Sequence, residues 1–143
     1  MKQPPMIITG SLGMDAHIIG TKIVSRALKE AGFRVTALGA QNPPEEFIKA
    51  AQETKADVIF MTSLYGMAEF DLKGFNEKRL EAGLEDVLLY IGGNLVVGRH
   101  DPKEVEEKFK KLGFDRVYPP EKSSDLDTAI DDLKKDLKAK GRM

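Results

Sequence analysis

The sequence contains no cysteine and no tryptophan, and its only histidines are His17 and His100. The lack of cysteine excludes disulfide bonds, thiolate zinc sites, iron–sulfur clusters and cysteine nucleophiles. With two histidines, a zinc or iron site would need carboxylates to complete its ligand set. A chain without cysteine also fits the reducing cytoplasm, which is where we expect it to act.

The sequence also lacks a long apolar run and an excess of charge of one sign. No segment approaches the ~20 apolar residues of a membrane span, and the first ten residues lack the apolar centre of a signal peptide. The net charge is −1, so neither nucleic acid nor a membrane is an expected partner. The length of 143 residues predicts one domain, residues 1–143, with a core of its own.

The chain instead alternates short apolar runs with segments of helical periodicity. The runs are too apolar for strands with one solvated face and are typical of strands buried on both faces. Five strands are predicted, at Met6–Gly10, Phe33–Leu38, Asp57–Thr62, Val87–Ile91 and Phe114–Tyr118. Helices are predicted between them: one after Ile18, one from Asn42, one over about Asp71–Ala82, one from Asp101 and a last one from Ser123.

Local signals mark where these helices begin and end. Asn42 is the predicted N-cap of the second helix, with Pro43 at its first helical position. Three helices are predicted to stop at a glycine that is followed by an apolar residue, namely Gly32, Gly83 and Gly113. Each helix therefore leads directly into the next strand.

This alternation predicts an α/β fold with a doubly wound, five-stranded parallel sheet. The expected strand order is 2-1-3-4-5, which is flavodoxin-like (Rossmann-like). In such sheets, ligands bind outside the carboxyl ends of the strands. The loops at that edge read "SLGMDAHIIG" after strand 1, "SLYGMAEF" after strand 3 and "GGNLVVGRHD" after strand 4.

Several chemistries can be weighed for these loops. Gly10 and Gly13 are spaced wrongly for a dinucleotide fingerprint, and no phosphate-loop lysine follows them. A phospho-acceptor domain needs an aspartate after strand 3, where this chain has Ser63. A single histidine can supply one axial bond to a metal that a macrocycle already holds, and Asp15 could orient the imidazole of His17. The simpler alternative is that His17 is a surface residue.

Three motifs together resemble one family. Asp15-x-His17-x-x-Gly20, then Ser63-Leu64, then Gly92-Gly93 is similar to the pattern of cobalamin-binding domains. The segments "IKAAQETKADVIFMTSLYG", "LLYIGGNLVVG" and "DRVYPP" extend the resemblance over nearly the whole chain, to the small cobalamin-binding subunit of glutamate mutase (methylaspartate mutase).

The resemblance implies a set of site residues. His17 would be the lower axial ligand of cobalt, replacing the cofactor's own base, and Asp15 would hydrogen-bond it. The implied cofactor-binding residues are Met14, Asp15, Ala16, His17, Ile18, Gly20, Thr62, Ser63, Leu64, Gly92, Gly93, Asn94, Leu95 and Val96. Thr62 stands where serine is common in the family and keeps the hydroxyl.

The resemblance also implies an activity and a partner. The chain would bind adenosylcobalamin (coenzyme B12) for the radical isomerisation of L-glutamate to 3-methylaspartate. It would be inactive without a larger catalytic subunit that carries the substrate site, with which it would form a heterotetramer. Two alternatives stay open. One is a cobalamin module of another mutase or a corrinoid methyl carrier, and the other is a non-enzymatic, flavodoxin-like regulatory module.

Overall fold

The computed structural model describes residues 3–12, 18–63, 72–92, 102–118 and 126–143 of the chain. Within these residues, strands and helices alternate along the sequence. The strands are β1 (Met6–Ser11), β2 (Arg34–Ala37), β3 (Val58–Thr62), β4 (Leu88–Gly92) and β5 (Arg116–Tyr118). The helices are α1 (Ile18–Glu30), α2 (Pro44–Thr54), α3 (Phe75–Glu81), α4 (Pro102–Lys111) and α5 (Leu126–Ala139).

The strands form a single five-stranded sheet in the order β2-β1-β3-β4-β5. Every neighbouring pair is parallel. The doubly wound, flavodoxin-like fold predicted from the sequence is therefore confirmed, including its strand order. The central strands β1, β3 and β4 end side by side, because Ser11 pairs with Thr62 and Thr62 pairs with Gly92.

A hydrophobic core covers each face of the sheet. On one face, α2, α3 and α4 pack against the sheet through side chains such as Phe47, Phe75 and Phe109. On the other face, α1 contributes Leu28 and α5 contributes a stripe of Ala129, Leu133 and Leu137 at helical spacing. Since both faces are covered, the strands consist of apolar runs and do not alternate between apolar and polar residues.

The five helices in the described part of the chain end in the same way. In each, an N–H beyond the helix donates to a carbonyl five residues earlier, as Phe33 does to Leu28 (3.1 Å) and Arg142 does to Leu137 (2.9 Å). The residue before that donor has a positive φ, which favours glycine. Four helices have glycine there, namely Gly32, Gly83, Gly113 and Gly141. The sequence predicted the first three.

Helix α2 is the exception, because Lys55 occupies its left-handed position, with φ 53° and ψ 51°. The bond that follows is the same one, from the N–H of Ala56 to the carbonyl of Ala51 (3.0 Å). A side chain with a Cβ pays roughly 1–2 kcal/mol for this conformation. A cation near a helix C-terminus recovers about 0.3–1 kcal/mol from the helix dipole. The lysine is therefore not there for the stability of the helix end.

Two local predictions are wrong. The N-cap of α2 is Pro43, and Pro44 is the first helical residue. The side chain of Asn42 donates instead to the carbonyls of Gly39 (2.8 Å) and Ser11 (3.2 Å), so contacts with β1 and the preceding loop outweigh local capping.

The helix predicted over Asp71–Ala82 is also shorter than expected. It begins only at Phe75, because Gly74 before it has φ 80° and interrupts the helical backbone. Residues 72–74 form a turn, and Asp71 lies outside the described residues. The starts predicted for the fourth and fifth helices, at Asp101 and Ser123, lie outside them as well.

Candidate functional site

The predicted site residues divide into those that the structure describes and those that it does not. Ile18 and Gly20 belong to the first turn of α1, Thr62 ends β3, Ser63 follows it and Gly92 ends β4. The others lie outside the described residues: Met14, Asp15, Ala16, His17, Leu64, Gly93, Asn94, Leu95 and Val96. His100, the second histidine, lies outside them too.

The described part of the site is built on the carboxyl ends of three adjacent strands. The N–H of Leu12 donates to the carbonyl of Thr62 (2.9 Å), and the N–H of Ser63 donates to the carbonyl of Gly92 (3.1 Å). The ladder of hydrogen bonds thus continues to the last residue of each strand. The loops that follow β1, β3 and β4 start from fixed, neighbouring points, as the sequence predicted for Thr62, Ser63 and Gly92.

The side chains on the α1/α5 face become smaller towards this edge. Along β4, Leu88 and Tyr90 pack in the core of that face, and two residues further on the strand ends in Gly92. Along β1 the corresponding series is Ile7, Thr9 and Ser11. Because alternate residues of a strand share a face, the side chains on this face are bulky at the amino end of the sheet and small at its carboxyl end.

Gly92 lies against an aromatic cluster. A Cβ at position 92 would come within 3.4 Å of the Cβ of Tyr118 and 4.0 Å of the ring of Phe60. The rings of Phe60 and Tyr118 are stacked, with centroids 6.2 Å apart and 11° between their planes. The surroundings of Gly92 are therefore apolar and buried, and a side chain at position 92 would press against these residues.

Two hydroxyl groups at this edge have different surroundings. The hydroxyl of Thr62 donates to the carbonyl of Gly10 (3.3 Å) and lies 3.4 Å from that of Ser11. Ser63 is fully buried, and its Oγ has no hydrogen-bond partner among the described residues. Leaving a buried hydroxyl unpaired costs about 1–3 kcal/mol, so Ser63 is a candidate ligand-binding group.

A polar network, which sequence reasoning missed, holds α5 against β4 and β5. The hydroxyl of Tyr90 and the guanidinium of Arg116 both donate to the carboxylate of Asp136. The hydroxyl of Tyr118 donates to the carboxylate of Asp132 (2.6 Å). One signal could have revealed the network: Asp132 and Asp136 are four residues apart, beside the apolar stripe of α5.

This network shifts the protonation equilibria of its members. The hydrogen bonds from Arg116 are the main cause that lowers the pKa of Asp136 below its usual value of 3.8. Burial, followed by the hydrogen bond to a carboxylate, raises the pKa of Tyr90 and of Tyr118 well above 10. At neutral pH, Asp136 is therefore an acceptor and both tyrosines are donors.

The described residues offer no other obvious chemistry at this edge. Between residues 3 and 143, leaving out the undescribed segments, no group of three histidine, aspartate or glutamate side chains is placed to hold a metal ion. In the same part of the chain, no helix is long and apolar enough to cross a membrane. The candidate site therefore consists of the Ser63 hydroxyl, Gly92 at the end of β4 and the loops that these residues begin.

The chain is similar to known cobalamin proteins. Residues 5–122 match the family model for the B12 binding domain. The chain is 53% identical over 131 residues to the glutamate mutase sigma subunit of Carboxydothermus hydrogenoformans, covering 92% of this chain and 94% of the relative. It is 51% identical to that of Clostridium cochlearium, with the same coverage.

A solved structure gives the same picture of the fold. A cobalamin-binding protein from Desulfitobacterium hafniense superposes with a TM-score of 0.74 at 19% identity. The match covers 93% of this chain and 59% of that protein. At this identity the likeness supports the fold alone, which is the doubly wound sheet described above.

Proposed function

The chain belongs to the family of glutamate mutase sigma subunits, and from this premise we propose that it is the cobalamin-binding subunit of an adenosylcobalamin-dependent glutamate mutase. The enzyme would interconvert L-glutamate and 3-methylaspartate. The relatives named above support the proposal, since they match nearly the whole chain and are themselves matched along 94% of their length. The structural observation that carries it is the buried hydroxyl of Ser63, which has no hydrogen-bond partner among the described residues and lies at the edge of the sheet where β4 ends in Gly92.

The residues at the carboxyl edge fit such a cofactor. A corrinoid carries a nucleotide tail with a flat aromatic base and polar groups, and the edge offers complementary groups. The rings of Phe60 and Tyr118 make the surroundings of Gly92 apolar, Gly92 itself adds no side chain, and the hydroxyl of Ser63 has no partner among the described residues. Small side chains and glycine allow a large ligand to approach the backbone closely.

We assign the following roles to the residues of this chain. His17 supplies the axial cobalt ligand, and Asp15 accepts a hydrogen bond from its other ring nitrogen, which fixes the tautomer. Thr62 and Ser63 contact the tail of the cofactor, and Gly92 leaves room for it. The remaining contacts are proposed for Met14, Ala16, Ile18, Gly20, Leu64, Gly93, Asn94, Leu95 and Val96.

The division of labour between cofactor and protein follows from these roles. When bound, the cofactor supplies the radical chemistry that the carbon-skeleton rearrangement requires. The chain binds it, orients it and excludes water from one of its sides. We propose that substrate binds on a larger catalytic subunit, that the two subunits form a heterotetramer, and that this subunit is inactive alone. We also propose that residues 1–143 act as one cobalamin-binding domain in the cytoplasm.

The experiment that tests cofactor binding is a spectroscopic titration. Purified protein is mixed with adenosylcobalamin, and the absorption spectrum reports both binding and displacement of the lower base. His17→Ala should abolish the displaced-base spectrum and weaken binding at least tenfold. His100→Ala is the matched control and should leave both unchanged. A spectrum that does not change on mixing, or a His17→Ala variant with unaltered binding, would contradict the proposal and favour a regulatory module.

The assignment to glutamate mutase needs a second experiment. Addition of a glutamate mutase large subunit, L-glutamate and adenosylcobalamin should yield 3-methylaspartate, and omission of any one of them should stop the reaction. Binding of cobalamin without this activity would point instead to a module of another mutase. Transfer of a methyl group to the bound cobalt would point to a methyl carrier.

A further inference from the structure

A second cleft lies at the opposite end of the sheet, where the strands begin. It has a volume of about 540 Å³ and is lined by Gln3, Arg34, Lys55, Asp57, Lys140 and Arg142, together with Gly141. Arg34 is the first residue of β2 and Asp57 directly precedes β3. The cleft is therefore separated from the candidate cofactor site by the length of the strands, roughly 17 Å for five residues.

The charge of this cleft is strongly positive. Four of its side chains are cationic, and Asp57 is its single carboxylate. That carboxylate is already engaged, because it accepts a hydrogen bond from the N–H of Met6 (3.0 Å) and lies 3.4 Å from the guanidinium of Arg142. The chain as a whole carries a net charge of −1, so the excess of cations is a local feature.

Two of the cations are held in place by the backbone. The Nε of Arg34 donates to the carbonyl of Pro4 (2.7 Å), and the Nζ of Lys140 donates to the carbonyl of Asp86 (2.7 Å). Each of these bonds uses one donor of the side chain, so both side chains keep further N–H groups that can bind a ligand. Fixed cations lose less conformational entropy when they bind an anion than mobile ones do.

Lys55 adds a second, independent observation. It adopts the left-handed conformation at which the other four helix ends have glycine, and its ammonium has no partner among the described residues. The carbonyls at this helix end are satisfied by backbone N–H groups, so the ammonium is not needed there. A lysine held in a strained conformation on the wall of a cationic cleft therefore supplies charge to the cleft.

We propose that this cleft is a binding site for a polyvalent anion of the phosphate class, namely a di- or triphosphate group. Three uncompensated positive charges match an anion with two to four negative charges better than a single carboxylate. Arginine binds phosphate oxygens in pairs, and lysine contributes point charges around them. A volume of this size lies within the range of small-molecule sites.

The experiment is a titration of the full-length protein with pyrophosphate, followed by calorimetry and by NMR. In a parallel titration, ADP distinguishes a nucleoside diphosphate from the free anion. The expected result is saturable binding at one site per chain, with shifted resonances of Lys55 and Arg34. Lys55→Gly and Arg34→Gln should each weaken binding by at least roughly threefold. Lys110→Gln, which removes an exposed cation of α4 outside the cleft, should leave it unchanged.

Glycine fits the left-handed conformation at position 55, so Lys55→Gly should stay folded. Weaker binding by this variant would therefore not be caused by a folding defect. Saturating adenosylcobalamin should not displace pyrophosphate, since the two sites lie at opposite ends of the strands. The proposal is overturned if binding does not saturate, if Lys110→Gln weakens it as much as Lys55→Gly, or if a hexaglutamate peptide binds as tightly as pyrophosphate. Loss of pyrophosphate binding on addition of cobalamin would also overturn it. Displacement by cobalamin would itself show that cobalamin binds, and the other outcomes concern only the cleft, so none of them counts against the proposed mutase function.

Discussion

The N–H of Ser63 donates to the carbonyl of Gly92 at 3.1 Å, while the hydroxyl of the same serine is buried without a partner among the described residues. The backbone of Ser63 thus continues the hydrogen bonding of the sheet, while its hydroxyl forms no hydrogen bond within the part of the chain that the structure describes. Binding and stability can therefore be separated at this residue.

Ser63→Ala should stabilise the protein without cofactor by up to about 1 kcal/mol, because it removes an unpaired buried hydroxyl. The same variant should bind adenosylcobalamin more weakly. Urea unfolding and the spectroscopic titration measure the two effects. Ser25→Ala is the matched control, because the hydroxyl of Ser25 lies 2.7 Å from that of Thr9 in the core. It should destabilise by about 1–3 kcal/mol, since it leaves Thr9 unpaired. If both serine variants lose stability, the unpaired state of Ser63 is refuted.

Gly10, the last but one residue of β1, and Gly92, the last residue of β4, should respond differently to alanine. A Cβ at Gly10 would lie 3.1 Å from both Asn42 and Leu38, so Gly10→Ala should cost about 1–3 kcal/mol of stability. At Gly92 the nearest atom would be 3.4 Å away, so Gly92→Ala should fold normally and lose affinity for cobalamin. Thermal unfolding with and without cobalamin distinguishes the two. Equal cobalamin affinity of Gly92→Ala and the unsubstituted protein would argue against a ligand beside Gly92.

Asp136 should make the stability of the fold depend on pH in the acidic range. Its pKa is lower in the folded chain than the usual 3.8 because Arg116 donates to it, so folding favours the ionised form. The contribution of Asp136 to stability is complete at pH values above its pKa in the unfolded chain. It is lost as the pH falls through 3.8 towards the lower pKa of the folded chain. Asp136→Asn should cost about 1–3 kcal/mol at pH 7 and flatten the loss of stability between about pH 5 and pH 2. Urea unfolding over this range measures both effects.

A surface pair serves as the control for Asp136. Glu30 and Arg26 form an exposed ion pair on α1, and Glu30→Gln should change stability little at any pH. An Asp136→Asn variant whose pH profile runs parallel to that of the unsubstituted protein would refute the linkage.

Lys55→Gly should stabilise the fold. The left-handed conformation costs a lysine roughly 1–2 kcal/mol, and the greater freedom of glycine in the unfolded chain takes back about 0.4–1 kcal/mol. Loss of the interaction with the helix dipole takes back roughly a further 0.3–1 kcal/mol, so the expected net gain is small, at most about 1 kcal/mol, and is measured by urea unfolding. Lys49→Gly, inside the same helix, should lose about 1 kcal/mol. A loss of stability at position 55 would show that the lysine contributes to the helix end after all.

The fold was accessible from the sequence because its signals are local and agree with one another. Buried apolar runs, helical periodicity and the glycines at 32, 83 and 113 each indicate the alternation that the structure shows. The prediction for Asn42 was wrong because its side-chain amide donates to the carbonyls of Ser11 and Gly39 and does not cap the helix. Ser11 is 31 residues away in the chain and Gly39 is 3 residues away. Rules for helix caps consider only the residues of the helix end, so they do not predict these contacts.

The position of Thr62, Ser63 and Gly92 at one edge of the sheet could be predicted for the same reason, whereas the network on α5 could not. Thr62, Ser63 and Gly92 follow apolar runs, and parallel strands bring their carboxyl ends together. Asp132 and Asp136 have the appearance of solvent-facing acids on a helix rich in lysine and aspartate. Their role depends on Tyr90, Arg116 and Tyr118, which the pairing of β4 with β5 places opposite them.

Because the helices end in the same way, the two edges of the sheet have different roles in the fold. The bonds that close α1 to α4 lie where the next strand begins, and three to six residues are enough for each of these connections. The turn from each helix into the next strand is thus encoded at one edge, in short connections that leave little freedom for change. Substitutions in the loops at the other edge leave these turns intact. Those loops could therefore be exchanged to accept a different ligand without changing the turns that connect each helix to the next strand.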